Sequence, residues 1–137
     1  TKVEERLSSL GFGLVQDQKV KLVNEVKKMV EDVYSGEYDF PENFRFTDLV
    51  KKRWSNYEMV SDAFVAIEKT TLERYLIQYR LDRAKELLVY TNDTLADIAF
   101  KLNYNSAGHL SAQFKQFTGL TPSHFKEIKV ERKLVSN

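Results

Sequence analysis

Valine recurs along the first third of the chain at Val20, Val23, Val26, Val30 and Val33, with Leu22 and Met29 beside it. Apolar residues three and four apart fall on one stripe of a helix of about 3.6 residues per turn. The spacing therefore predicts a helix over residues 18–34, stopped by Ser35-Gly36, and then a loop, "SGEYDFPENF", around Pro41. Leu49 and Val50 mark a short helix over 47–53. Ser55-Asn56 makes a turn, and Val60, Phe64 and Ile67 line the inner face of a second helix over 57–67. Thr70 or Thr71 caps a long helix to about residue 90. Its stripe is Leu72, Tyr75, Leu76, Tyr79, Arg83 and Leu87, widened by Ala84 and Leu88. At about 1.5 Å per residue this helix is roughly 30 Å long. "TND" breaks it, Thr94 caps the next helix, and Leu95, Ile98, Ala99 and Leu102 follow at helical spacing. After "NYNS" a helix over 106–117 turns Leu110, Phe114 and Phe117 inward and ends at Thr118-Gly119. Pro122 sits in the first turn of a last helix, where its missing N–H costs nothing.

The expected fold is all-α, with about seven helices. A short helix, a turn and a second helix occur twice, over 46–68 and 94–117, joined by the long linker helix over 71–90. Residues 1–17 are expected to be an irregular lead-in to a domain spanning 18–137. Two short helices joined by a tight turn can pack across a small shared core. In the later unit that core is Leu95, Ile98, Ala99, Leu102, Tyr104, Leu110 and Phe114. At about 100° per residue, Ala112 lies nearly opposite Leu110, Phe114 and Phe117, flanked by Gly108, His109, Lys115 and Gln116. These residues are small or able to hydrogen-bond, and none is acidic. A slim face of donors and acceptors is what a helix needs to enter the major groove of DNA.

Charge sharpens this picture. The chain has net charge +1, but residues 1–68 carry 10 Lys+Arg against 13 Asp+Glu, a net of −3, and residues 69–137 carry 11 against 7, a net of +4. The second half is the better match for a polyanion. No apolar run approaches the roughly 18 residues that a membrane helix needs, so no membrane partner is expected. The absence of cysteine excludes thiol catalysis, disulfides and cysteine metal sites, and fits a reducing, cytoplasmic compartment. His109 and His124 lie on different predicted helices without metal-ligand spacing, and "GFG" lacks the lysine of a phosphate loop. No catalytic constellation, metal site or cofactor is therefore expected. The chain starts at Thr1 rather than methionine, which suggests a piece of a longer protein.

The stretch "LADIAFKLNYNSAGHLSAQFKQFTGLTPSHFK" resembles the C-terminal signature of the AraC/XylS family of bacterial transcription regulators. The matching residues are Ile98, Ala99, Asn103-Tyr104, Phe114-Lys115, Gly119 and Pro122. Upstream, "YRLDRAKELL" resembles the family's linker helix, with Arg80, Arg83, Ala84 and Leu87-Leu88 in step. The resemblance covers residues 46–128. It implies two helix-turn-helix units, each offering a recognition helix to the major groove of double-stranded DNA, with RNA polymerase as a further partner. The candidate contacts are Lys101, Ser106, Ala107, Gly108, His109, Ser111, Ala112, Gln113, Lys115 and Gln116 in the second unit, and Asn56, Tyr57 and Ser61 in the first. Two departures stand out. The turn glycine is Asn103, which tolerates left-handed backbone, and an arginine frequent on the recognition helix is Ala112, which can still meet a thymine methyl.

The first unit departs further. Its recognition helix, "NYEMVSDAFVAIEK", exposes Glu58, Met59 and Asp62, and carboxylates are repelled by phosphate. The preferred reading is that this unit supports the fold or contacts protein, which leaves a helical protein-interaction module as the alternative function. "RLSSLGFGLVQDQKVKLV" is loosely similar to a junction in some family members. There a small domain of heavy-metal-associated type precedes the first helix, so an upstream sensor segment is expected.

Overall fold

The computed structural model describes residues 14–136. Among the described residues there are seven α-helices and no strand: α1 (Gln16–Val33), α2 (Phe46–Trp54), α3 (Tyr57–Glu68), α4 (Leu72–Tyr90), α5 (Leu95–Lys101), α6 (Ala107–Thr118) and α7 (Pro122–Ser136). The first six start and stop within about two residues of the expected bounds, and α7 starts at Pro122 as expected. Most of the expected lead-in lies outside the described residues. The chain divides into two compact units, one of residues 14–33 and 40–77, the other of residues 34–39 and 78–136.

In the first unit α1 buries Leu22, Val23, Val26, Val30 and Val33, the side of the helix that the valine spacing marks. α3 packs on it through Val60, Ala63 and Phe64, and α2 adds Phe46 and Val50. The Phe64 ring meets Tyr75 edge to face at 5.1 Å. Lys27 on α1 donates to Glu68 at the end of α3 at 2.9 Å, and this hydrogen bond raises the Lys27 ammonium above its ordinary value. α2 ends because Ser55 takes a left-handed conformation, φ 62°, and Asn56 then caps α3.

In the second unit Leu81, Ala84, Leu87 and Leu88 of α4 are buried together with Ile98, Ala99, Leu102, Tyr104, Leu110 and Phe114. Full burial of one such Leu or Phe side chain is worth about 1.5–3 kcal/mol. Phe114 also meets the ring of Phe125 on α7 at 5.4 Å. Arg83 reaches back to the preceding loop, donating to the carbonyls of Tyr34 at 3.3 Å and Ser35 at 2.8 Å.

Several packing expectations change. Leu81, outside the predicted stripe of α4, is fully buried, whereas Tyr75, Leu76, Tyr79 and Arg83 within it are half-buried. Ile67, Leu95 and Phe117, expected inside, are also half-buried, and Val20 of the valine stripe is exposed. Leu95 opens α5 and Phe117 is the last residue but one of α6, so each stands at a helix end rather than mid-helix.

Candidate nucleic-acid interface

The later helix-turn-helix is assembled from both ends. Thr94 and Asp97 form a capping box at the start of α5: the Thr94 hydroxyl accepts from the Asp97 N–H, and the Asp97 carboxylate accepts from the Thr94 N–H at 2.9 Å. These hydrogen bonds hold the Asp97 carboxyl below its ordinary value. α5 stops at Leu102, and Asn103 turns the chain with φ 61°, the left-handed conformation for which asparagine was expected to substitute for glycine.

The turn would leave carbonyls unpaired. Arg80, from α4, satisfies two of them, donating through Nε to Leu102 at 3.0 Å and through Nη2 to Asn103 at 2.9 Å. Its guanidinium carbon lies 3.9 Å from the centre of the Tyr104 ring and 5.5 Å from that of Tyr34. Sequence reasoning had Arg80 only as a matching position in the linker helix. Its partners are backbone atoms, which leave no side-chain signal.

Ser106 caps α6, its hydroxyl accepting from the His109 N–H at 3.0 Å. The helix contains no acidic residue. Gly108, His109, Ala112, Lys115 and Gln116 are exposed along it, as is Ser106 before it, and Ala107 and Ser111 are half-exposed. The His109 ring rests edge-on against Tyr104, centroids 5.5 Å apart. A methyl group added at Gly108 would meet Ser106 Oγ at 3.7 Å, ordinary contact distance. The helix ends at Gly119, φ 81°, and Thr121 caps α7 through the His124 N–H.

Two members of the predicted set are engaged within the protein. Gln113 is half-buried and accepts a hydrogen bond from the Tyr104 hydroxyl at 2.7 Å. Lys101 is ion-paired with Asp93 at 2.6 Å, so a phosphate would have to compete with that carboxylate.

The first unit is different. The Asn56 side chain is spent on capping α3, accepting from the Met59 N–H at 3.1 Å. The Tyr57 hydroxyl donates to the Glu73 carboxylate. Burial, reinforced by that bond and charge, holds the Tyr57 phenol well above its ordinary value. Ser61 is half-exposed, while Glu58 and Asp62 are fully on the surface. The basic run at the end of α2 is exposed, and its Arg53 lies 5.1 Å from the Trp54 ring and 3.9 Å from Glu25.

The sequence matches the family described as helix-turn-helix domain over residues 56–128. Among curated relatives, the chain is 35% identical over 65 residues to the bifunctional transcriptional activator/DNA repair enzyme AdaA of Bacillus subtilis, covering 47% of this chain and 31% of the relative. It is 27% identical over 108 residues to the Msm operon regulatory protein of Streptococcus mutans, covering 78% and 37%. The chain thus spans about a third of the length of these relatives. The fold is similar to the DNA-binding domain of AdpA, solved in complex with a target DNA, with a TM-score of 0.66 at 18% identity over 80% of this chain and 94% of that one. It is similar also to a transcriptional regulator of AraC type from Chromobacterium violaceum, TM-score 0.64 at 19% identity over 78% and 90%. No helix among the described residues is long and apolar enough to cross a membrane. With the helix-turn-helix match covering more than half of the sequence, the chain belongs to the AraC/XylS family of transcription regulators and carries its helix-turn-helix DNA-binding domain.

Proposed function

We propose that this domain binds double-stranded DNA sequence-specifically for the control of transcription, with α6 as its principal reading helix in the major groove. The observation that carries this reading is the exposed, acid-free face of α6, set on a turn whose carbonyls Arg80 holds. Ser106, Ala107, Gly108, His109, Ser111, Ala112, Lys115 and Gln116 are its contacts, with Gln113 at the edge and Lys101 available once Asp93 yields. Helix-turn-helix proteins read bases mainly through the start of the recognition helix, where Gly108 and His109 stand. In the first unit Asn56, Tyr57 and Ser61 are secondary contacts, and Glu58 and Asp62 limit that helix's hold on phosphate. Regulation through such a domain implies a cytoplasmic setting, RNA polymerase as a partner, and a sensor segment elsewhere in the whole protein.

Competition between matched and mismatched duplexes tests this. His109→Ala is expected to lose about 1–3 kcal/mol of discrimination at one or two base positions while non-specific affinity is kept. Uniform weakening across all sequences would make His109 a phosphate or folding residue. A wild-type affinity for duplex insensitive to salt would favour a protein-interaction module instead.

A further inference from the structure

Tyr104 is 6% exposed, yet its hydroxyl emerges beside the reading helix and donates to Gln113 Oε1 at 2.7 Å. The Arg80 guanidinium lies 3.9 Å from the centre of its ring. A cation over a phenol ring draws electron density from it, which makes the hydroxyl a stronger donor and a weaker acceptor. Burial holds the phenol above its ordinary ionisation range, against the opposing pull of Arg80, so the proton stays in place to be donated.

A glutamine carries one acceptor oxygen and two N–H donors. Tyr104 takes one of the two lone pairs of Oε1, which fixes the orientation of the carboxamide and leaves both Nε2 hydrogens for another molecule. On α6 Gln113 lies about 40° around the helix from His109 and about 60° from Gln116, both exposed. An unconstrained glutamine pairs with adenine by donating to N7 and accepting from the N6 amino group. A carboxamide held to Tyr104 by its oxygen is no longer free to rotate into that pair, and only the second lone pair of Oε1 is left to accept from the amino group.

We infer that Tyr104 is a positioning residue for sequence recognition, which by holding Gln113 Oε1 orients that side chain to present its Nε2 donors to a hydrogen-bond acceptor on duplex DNA. The acceptor is guanine O6 or thymine O4, in whose place adenine carries an amino donor, or a phosphate oxygen. The inference rests on the reading that α6 meets DNA.

Tyr104→Phe removes only the hydroxyl and keeps the ring under Arg80 and against His109. In the free protein, the Gln113 side-chain carboxamide signals should shift in this variant, read by nuclear magnetic resonance. Unchanged signals mean that the bond is absent and overturn the inference without any DNA. Duplex binding is then compared across random oligonucleotides for wild type, Tyr104→Phe, Gln113→Ala and the double variant. If the acceptor is a base, wild type disfavours adenine at one position by on the order of tenfold, and Tyr104→Phe relaxes that preference. If it is a phosphate, Tyr104→Phe weakens every sequence by one common factor, and neutralising a single phosphate as methylphosphonate reproduces the loss. In both cases the effect of Tyr104→Phe vanishes in the Gln113→Ala background. An effect that persists there makes Tyr104 a purely structural residue and overturns the inference. Shifted carboxamide signals in a protein that binds no duplex would reject α6 as a DNA reader, and the inference with it, while leaving the Tyr104–Gln113 bond established.

Discussion

Arg80 stabilises the later unit because its donors match a geometric need. Two carbonyls of the α5–α6 turn point at the linker helix, and the planar guanidinium meets both at once. Lysine has a single donor centre and cannot reproduce the fork. Arg80→Ala is therefore expected to cost about 3 kcal/mol, from two hydrogen bonds to a charged donor and the cation–ring contact. Arg80→Lys should recover only part of this. Urea unfolding of the three proteins measures it, and equal stabilities would show that water serves the two carbonyls as well. No pattern of side chains announces this role, because the acceptors belong to the main chain 22 and 23 residues away. By contrast Asn103 was legible: few residues other than glycine accept a left-handed backbone, and the structure has φ 61° there.

Among the elements, although Val20, Ile67 and Phe117 toward the helix ends are covered less, α1, α3 and α6 bury the middle of the faces that their apolar spacing marks. α4 does not. Leu72 and Leu81 lie nine residues apart, about half a turn out of phase, and both are fully buried. A single stripe cannot contain them, so the periodicity of α4 is blurred and Leu81 escapes it. The cap of α5 was readable because Thr94 stands immediately before an apolar run, whereas Ser106, expected as the first residue of α6, is its cap. The capping box also carries a pH signature. Asp97 is held below its usual value by Thr94, so its contribution is fully present above its unfolded value near 3.8 and disappears as pH falls through the lower folded value. Asp97→Asn should flatten that acid limb of the stability profile, followed by thermal unfolding between about pH 2 and 5. An unchanged limb would assign it to other carboxylates.

At the scale of the whole molecule, charge is divided along the chain. The net of −3 in residues 1–68 and +4 in residues 69–137 sets the two halves of the chain in opposite relations to a phosphate backbone. Lys115→Ala is expected to weaken all sequences alike and to lower the slope of log K against log salt by about one. Asp62→Ala should tighten non-specific binding by removing a carboxylate from the exposed side of α3. Titrations of labelled duplex at several salt concentrations measure both. Weaker binding by Asp62→Ala would show that the acidic helix accepts a hydrogen bond from a base.

On the proposed reading of α6, Gly108 places folding and recognition at odds. Inside a helix, glycine is less stable than alanine by about 0.5–1 kcal/mol, and the neighbourhood would admit the methyl, whose closest contact is Ser106 Oγ at 3.7 Å. Gly108→Ala should therefore raise the melting temperature while thickening the surface offered to the groove and loosening the fit to a matched duplex. Selection for heat resistance alone would drift to alanine at this position and erode the regulator. Selection for a new operator could rewrite the same exposed side of α6 with little harm to the core, because Leu110 and Phe114 on its inner side stay untouched. The domain is in this respect a stable chassis with an interchangeable edge, and Gly108 marks where the two demands meet.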